Sequence, residues 1–209
     1  MDSDELRASY DQVAETYADT FFDELDRKLF DRELLDAYAE RTQDRGLVLD
    51  IGCGPGHIAR YLHERGVEVA GVDLSPEMVE VARRLNPGLR FDVGDMGALD
   101  VEDAALAGIV AFYSVIHIPR EGVPGVMREF WRVIRTGGEL VVAVHAGTGS
   151  VRRDDFLGKP VPFEATFFER DELVSLVEGA GFRVEEAIQR APYDTEAPTQ
   201  RLYVRALVP

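Results

Sequence analysis

The chain has 209 residues, 45% of them hydrophobic, which predicts one globular domain with a sizeable core rather than a disordered chain. Its formal net charge of −16, from 39 acidic and 23 basic residues, disfavours a nucleic-acid partner because phosphate backbones would be repelled. No apolar run approaches the roughly 20 residues of a membrane span, and the acidic residues 1–5 do not resemble a secretory signal, so we expect a cytoplasmic protein with no membrane partner.

Two helices are predicted before the first strand. In the first, apolar and aromatic residues recur at helical spacing and form one stripe, at Tyr10, Val13, Ala14, Tyr17 and Phe21. A second helix is predicted over residues 31–45. Residues 1–45 contain 14 acids and 6 bases, so half of the excess negative charge lies in this helical segment.

A glycine-rich turn follows the first apolar strand. Residues 48–56 read Val-Leu-Asp-Ile-Gly-Cys-Gly-Pro-Gly, and a helix is predicted directly after them, over residues 57–64. A turn with almost no side chains lets a small ligand lie against backbone N–H groups at a helix N-terminus, and Asp50 offers a carboxylate to a cationic group. The alternative is a turn that serves packing alone, in which Cys53 is a small buried residue.

Strands and helices alternate after this turn. The next predicted strand covers residues 67–72, and the helix after it begins at Ser75-Pro76, where Ser75 is a suitable N-cap. A helix is predicted over residues 124–135, and further strands are predicted over residues 89–93, 107–112 and 139–145. Such alternation predicts an α/β fold, a three-layer sandwich of a parallel sheet with helices on both faces.

Polar residues follow the carboxyl ends of these strands, the edge at which open α/β sheets bind ligands. Asp73 lies roughly 20 residues beyond the glycines, the usual position of an acid that binds a ribose diol. The other candidates at this edge are Asp95 and Met96 after the third strand, Tyr113 and His117 after the fourth, and His145 at the end of the fifth.

The segment after the fifth strand is irregular. Gly, Pro and charged residues are mixed in residues 147–162, which we interpret as a long loop, and long loops in compact domains are often lids. A helix over residues 169–180 leads to a strand over residues 182–189, and a closing strand over residues 201–207 forms a hairpin with it. Four phenylalanines indicate an apolar or aromatic substrate, although core packing explains them nearly as well: Phe156, Phe163, Phe167 and Phe168.

These motifs together resemble the class I S-adenosylmethionine-dependent methyltransferases. They are the Asp-x-Gly-x-Gly-x-Gly turn at residues 50–56, the correctly spaced Asp73, and the sequence Gly-Asp-Met at residues 94–96. The resemblance covers residues 46–207 and is greatest to the small-molecule branch of the ubiquinone/menaquinone-biosynthesis type. One departure is Thr136 before a Gly-Gly pair, where the family often has proline. This difference affects no residue with an expected chemical role.

The resemblance implies a Rossmann-like sheet of seven strands, mostly parallel, in the order 3-2-1-4-5-7-6 with one antiparallel strand. It implies that residues 46–209 form the methyltransferase domain and that residues 1–45 are an N-terminal helical lid of the same domain. The cofactor would be S-adenosylmethionine and the product S-adenosylhomocysteine. The protein would act as a monomer or homodimer on a small molecule.

Roles at the glycine turn follow from the resemblance. Asp50 and the backbone of Gly52 and Gly54 would hold the amino-acid end of the cofactor, with the acid paired to its ammonium group. Gly56 would let the following helix approach closely.

The remaining cofactor residues are also implied by the resemblance. Asp73 would accept both ribose hydroxyls, while Leu74 and Met78 would form a wall against the adenine. Asp95 would accept from the exocyclic amine of the adenine, and Met96 would offer its backbone N–H to the ring. For each acid, the alternative is a solvated loop carboxylate.

Candidates for substrate contact and catalysis lie beside the expected methyl group. His117 could act as a general base, shape the substrate pocket together with Tyr113, or serve only packing, and His145 is a second candidate for these roles. Tyr10 and Tyr17 could lie near the cofactor carboxylate, or could be plain core aromatics.

The acceptor is predicted only as a small-molecule O, N, C or S nucleophile. The chain's one asparagine, Asn86, lies at a helix end. The chain therefore lacks the asparagine-containing motifs of family members that methylate amines and of those that depend on magnesium. No histidine pair has metal-ligand spacing with a third ligand, so no metal is expected. The alternatives are a non-catalytic cofactor-binding or scaffold protein of the same fold, and a nicotinamide oxidoreductase, which the glycine spacing disfavours.

Overall fold

A seven-stranded sheet lies at the centre of the computed structural model, which describes all residues, 1–209. In chain order the nine strands are β1 Val48–Ile51, β2 Val69–Asp73, β3 Arg90–Val93, β4 Leu106–Phe112, β5 Ile134–Ala146, β6 Ser150–Arg153, β7 Phe163–Thr166, β8 Arg183–Arg190 and β9 Gln200–Leu207. The sheet order is β3-β2-β1-β4-β5-β9-β8. β9 is antiparallel to both neighbours and the other pairs are parallel, which confirms the predicted topology once β6 and β7 are set aside.

Helices cover both faces of the sheet. They are α1 Ser3–Phe21, α2 Leu29–Thr42, α3 His57–His63, α4 Pro76–Leu85, α5 Val123–Val133 and α6 Arg170–Gly179, with short 3₁₀ helices at Glu24–Arg27 and Val115–His117. Because alternate strand residues face opposite sides, Leu49 packs in the core with α5 and α6, whereas Val48 packs in the core with α2 and α3. None of these helices combines the length and apolarity that crossing a bilayer requires.

The prediction of a loop over residues 147–162 is partly wrong. β6 and β7 form an antiparallel two-stranded sheet in which Ser150 is opposite Thr166 and Arg153 is opposite Phe163. Each strand has only four residues, and β6 has a single apolar one, Val151, so the sequence carries no alternation that would indicate a strand. Residues 147–149 and 154–162 remain outside the strands.

Helix α1 lies against α4, at the carboxyl edge of the sheet. Val13, Ala14 and Ala18 pack against α4 through its buried Met78 and Val81. The polar side of the contact is closed by Asp11, whose Oδ1 accepts from the Ser75 hydroxyl at 2.6 Å. The predicted N-cap role of Ser75 is confirmed, since its hydroxyl also accepts from the Met78 N–H at 3.1 Å.

Helix α2 approaches the sheet closely at Gly108 of β4. The Tyr38 ring is wholly buried there, and its hydroxyl donates to the Glu139 carbonyl of β5 at 3.5 Å. A Cβ on Gly108 would lie 2.3 Å from the Tyr38 hydroxyl and 2.5 Å from the Glu139 carbonyl oxygen. The second of these is backbone and cannot rotate away.

We expect Gly108→Ala to destabilise the protein by about 3 kcal/mol, because the added methyl overpacks this contact. Urea unfolding followed by circular dichroism measures the change. Gly179→Ala is the matched control, since a Cβ there meets nothing within 4 Å. Equal stability of the two variants would contradict the close contact between α2 and β4.

Candidate active site

The turn after β1 has the left-handed backbone that its glycines allow. Gly52, Gly54 and Gly56 have φ of +67°, +51° and +81°. A Cβ on Gly52 would lie 2.3 Å from the Ser114 Cβ, and one on Gly56 would lie 2.6 Å from the Phe91 ring. Side chains at these positions would therefore force the turn away from the residues after β4 and from β3.

Asp73, at the end of β2, fixes this turn. Its Oδ2 accepts from the Gly54 N–H at 2.8 Å, and its Oδ1 accepts from the Ser75 N–H at 2.9 Å. Burial raises the pKa of the Asp73 carboxyl, while the backbone N–H donors of Ser75 and Gly54 oppose that shift. Each carboxylate oxygen keeps a further lone pair, so Asp73 can still accept from a ligand.

A cavity of about 880 Å³ opens beside the turn. Three acidic side chains line it, Asp2, Asp73 and Asp95, against one basic side chain, Arg7. The residues predicted from sequence that line it are Tyr10, Tyr17, Gly52, Gly54, Asp73, Leu74, Asp95, Met96, Tyr113 and His117.

Three predicted cofactor residues do not line this cavity. The Asp50 carboxylate is buried and accepts from the Ala59 N–H of α3 at 3.1 Å, and burial raises its pKa to about 7. It therefore faces the helix rather than a ligand's ammonium group. Met78 is wholly buried under α1, so it is not a cavity wall. A Cβ on Gly56 would meet Phe91 and Asn86 rather than the following helix, so Gly56 allows the turn to pack closely against β3 and the end of α4.

A second cavity, of about 1420 Å³, lies beyond the first. His145 lines only this second cavity, where its Nδ1 lies 2.9 Å from the Thr199 hydroxyl. Burial, together with the nearby Arg201, lowers the pKa of His145 to about 4. Three of the four highlighted phenylalanines line this cavity, Phe156, Phe163 and Phe167, whereas Phe168 is wholly buried in the core and is not available to a substrate.

Four residues line both cavities and form the junction between them: Tyr10, Tyr17, Tyr113 and His117. At the junction the Tyr10 hydroxyl lies 2.7 Å from His117 Nε2, and His117 Nδ1 lies 2.7 Å from the Glu164 carbonyl oxygen. A carbonyl only accepts, so Nδ1 carries the proton and Nε2 accepts from Tyr10. Burial lowers the pKa of His117 to about 4, against a weaker opposing effect of the Glu164 carbonyl.

Sequence reasoning missed several residues that build the site. Asn86 is buried and donates to the Pro55 carbonyl at 2.9 Å, so it supports the glycine turn from the end of α4. Ser114 lines the first cavity, and its buried hydroxyl has no hydrogen-bond partner within the protein. Asp11 holds Ser75 and thereby the segment after Asp73. The partners of Asn86 and Asp11 are distant in sequence, so no local pattern indicated these roles.

Comparisons with known proteins agree with this fold. A family model described as a methyltransferase domain matches residues 48–138. A malonyl-[acyl-carrier protein] O-methyltransferase of Enterobacter lignolyticus is 28% identical over 191 residues, which cover 90% of this chain and 72% of that protein. Another from Serratia marcescens is 33% identical over 99 residues, 47% of this chain but only 38% of that protein.

A solved structure has the same fold. The 1,6-didemethyltoxoflavin-N1-methyltransferase of Burkholderia thailandensis, in complex with 1,6-didemethyltoxoflavin and S-adenosylhomocysteine, superposes with a TM-score of 0.75 at 22% identity, covering 98% of this chain and 88% of that chain. The match of a methyltransferase-domain model to residues 48–138 agrees with the sequence resemblance to the class I S-adenosylmethionine-dependent methyltransferases. The S-adenosylhomocysteine bound in that structure is the demethylated product of S-adenosylmethionine, the cofactor that the sequence motifs lead us to expect here.

The first cavity fits this cofactor. A Cβ on Gly54 would lie 3.6 Å from the Tyr17 ring, inside the space between the turn and α1, so glycine keeps that space open. The acidic lining suits a ligand that carries a sulfonium and an ammonium group. The free lone pairs of Asp73 suit a pair of ribose hydroxyls.

The buried neutral His117 predicts a pH dependence of stability. Its pKa is about 4 in the folded protein and 6.5 without burial, so between these pH values the unfolded chain binds the proton and the native protein does not. The stability contribution is therefore complete above pH 6.5 and is lost as the pH falls towards 4. As the pH falls, we expect the free energy of unfolding to fall more steeply in the wild type than in His117→Gln. The difference between the two slopes corresponds to the uptake of up to about one proton on unfolding.

Chemical denaturation at several pH values between 4.5 and 7 measures this slope. The exposed His63 provides the control variant His63→Gln, which should keep the wild-type slope. A His117→Gln slope equal to that of the wild type would show that His117 is not held neutral in the folded protein.

Proposed function

We propose that the protein transfers a methyl group from S-adenosylmethionine to an O, N, C or S nucleophile of a small molecule. The observation that carries this proposal is the pair of adjoining cavities, which meet at four shared side chains. Such a reaction is an in-line displacement, which requires the two reactants to approach from opposite sides of one point. The relatives named above act on a malonyl group of an acyl carrier protein and on a toxoflavin precursor, so a small-molecule acceptor is in keeping with them.

The cofactor residues are part of the proposal. The backbone of Gly52 and Gly54 would hold the amino-acid end, and Asp73 the ribose hydroxyls. Leu74, Asp95 and Met96 line the cavity where the adenine would lie. Tyr17 lies between this cavity and the second one, and the buried position that raises the pKa of its hydroxyl keeps it a neutral donor. When bound, the cofactor supplies an activated methyl group, and the protein's task is to orient the acceptor and exclude water.

We assign proton acceptance to His117, acting through Tyr10. His117 is neutral at physiological pH, with its Nε2 lone pair directed at the Tyr10 hydroxyl. An acceptor group beside Tyr10 can pass its proton to the phenolic oxygen while the Tyr10 proton moves to Nε2. Tyr113 and His145 form the wall on the other side of the second cavity, where their ring centroids lie 5.2 Å apart.

Helix α1 would act as the lid of both cavities, within one domain that spans the whole chain. Tyr10 and Tyr17 of α1 contact both cavities, and the helix is attached to α4 through Asp11 and through the exposed pair Glu15–Arg84. We further propose a cytoplasmic monomer or homodimer with no nucleic-acid or membrane partner. The strong negative charge and the single buried Cys53 support this proposal.

Asp73→Asn tests the ribose assignment. It keeps the size of the side chain but removes the charge that strengthens its hydrogen bonds, so the dissociation constant for S-adenosylmethionine should rise about tenfold or more. Isothermal titration calorimetry measures this constant. The control is Asp92→Asn on β3, whose carboxylate pairs with Arg90 and lines neither cavity.

An unchanged affinity in Asp73→Asn would remove the ribose assignment. No binding of S-adenosylmethionine to the wild type below the millimolar range would overturn the proposed function itself. Binding without release of S-adenosylhomocysteine, across a panel of phenols, carboxylic acids, amines and thiols, would instead indicate a non-catalytic cofactor-binding protein.

His117→Gln tests proton acceptance. With an acceptor from that panel, kcat should fall by about 100-fold, the usual contribution of a general base, while cofactor affinity is retained. Tyr10→Phe should lose a similar factor, because it removes the hydroxyl bonded to Nε2. Wild-type kcat/KM should stay flat down to about pH 5, since the pKa of His117 is about 4 rather than 6.5. A rate that falls near pH 6.5, or a His117→Gln variant with wild-type kcat, would show that the pair only shapes the cavity.

A further inference from the structure

The second cavity has a different charge from the rest of the molecule. Four basic side chains line it, Arg27, Lys28, Arg153 and Arg201, against two acidic ones, Glu24 and Glu196. Acids outnumber bases by 39 to 23 in the whole chain, so this excess of bases runs against the composition. The first cavity has the opposite bias, with three acids and one base.

Two of the four bases are already paired inside the protein. Lys28 is buried, and its Nζ lies 2.8 Å from Glu24 and 3.7 Å from Glu196. Arg201 is buried, donates to the Thr199 hydroxyl at 2.6 Å, and lies 3.5 Å from Glu196. These bases neutralise the two acids of the cavity.

Arg27 and Arg153 are different, because both are exposed and neither has a partner. No carboxylate oxygen lies within 4.0 Å of either guanidinium, and neither side chain makes a hydrogen bond. Among the 23 bases only Arg128 and Lys159 share this state, and those two line neither cavity. Two free guanidinium groups from separate segments, the 3₁₀ helix Glu24–Arg27 and β6, thus line the second cavity.

Phenylalanine side chains line the second cavity together with these arginines. The rings of Phe156 and Phe163 are stacked, with centroids 4.5 Å apart at 25°, and Phe21 and Phe167 complete the lining. Flat apolar walls of this kind favour an aromatic or extended apolar body. An unpaired guanidinium in the lining favours a carboxylate or phosphate group, which it can bind through two N–H donors.

We propose that the methyl acceptor is an organic anion, with an aromatic or apolar body held by the phenylalanines and a carboxylate or phosphate held by Arg27 and Arg153. This inference rests on the proposed function, since it assigns the second cavity to the acceptor. The anionic end of the acceptor lies at these two arginines, and its nucleophilic end lies at Tyr10 and His117.

Matched naphthalene probes test the inference. Calorimetry with the S-adenosylhomocysteine complex compares 2-naphthoate, 2-naphthyl phosphate and the uncharged 2-naphthamide. Either anion should bind the wild type about tenfold more tightly than the amide, and comparison of the two anions distinguishes a carboxylate site from a phosphate site. Arg27→Gln and Arg153→Gln should each weaken anion binding by about threefold, as expected for exposed charge pairs, and the double variant should abolish the preference.

Arg128→Gln is the control, because Arg128 is equally exposed and unpaired but lies on α5 away from both cavities. It should bind all probes as the wild type does. Equal affinity for anions and amide, absence of anion binding, or the same loss in Arg128→Gln would overturn the inference. Each of these results with S-adenosylhomocysteine still bound leaves the proposed function standing, whereas failure of S-adenosylhomocysteine to bind contradicts the proposed function instead.

Discussion

The hydrogen bond between the Tyr10 hydroxyl and His117 Nε2 joins segments that the sheet alone would leave apart. Because His117 Nδ1 is bound to the Glu164 carbonyl, one imidazole connects α1, the turn after β4 and strand β7. With α1 fixed there, Tyr10 and Tyr17 stand between two cavities instead of facing one open cleft. The same burial keeps His117 uncharged, so the group that positions the lid also keeps an unprotonated ring nitrogen, bonded to the Tyr10 hydroxyl, for chemistry at the junction.

Much of the fold could be predicted from sequence because its signals are local. The glycine turn, the Ser75 N-cap and the acid at the end of β2 involve residues within about 20 positions of one another, a separation over which turn chemistry and helix capping act. The strand order could not be derived from such signals, and it came from the family resemblance. Asp73 was predicted as a ligand contact, and the structure adds that it also fixes the turn through the Gly54 N–H.

The expectations that failed depended on where a side chain points after packing. Asp50 has the sequence position of a ligand-binding acid, yet its carboxylate turns towards the Ala59 N–H of α3. Met78 is close in sequence to residues that line the first cavity, but α1 covers its side chain. Strands β6 and β7 are too short to carry a periodic pattern, and β7 packs against the 3₁₀ helix after β4. In each case the structure depends on contacts with residues that are distant in the chain. Local propensity and residue spacing do not indicate such contacts.

Net charge is a poor guide to what the cavities of this protein bind, because charges in salt solution act over distances shorter than the molecule. At physiological ionic strength the screening length is about 8 Å, so a ligand inside a cavity responds mainly to the side chains that line it. The overall charge of −16 therefore coexists with an acidic first cavity and a second cavity whose acids are already neutralised by Lys28 and Arg201. The charge that remains unpaired in the second cavity is positive, and it is carried by Arg27 and Arg153. A cationic cofactor and an anionic acceptor would each find the complementary sign, and the two would meet at Tyr10 and His117, where neither residue carries a formal charge.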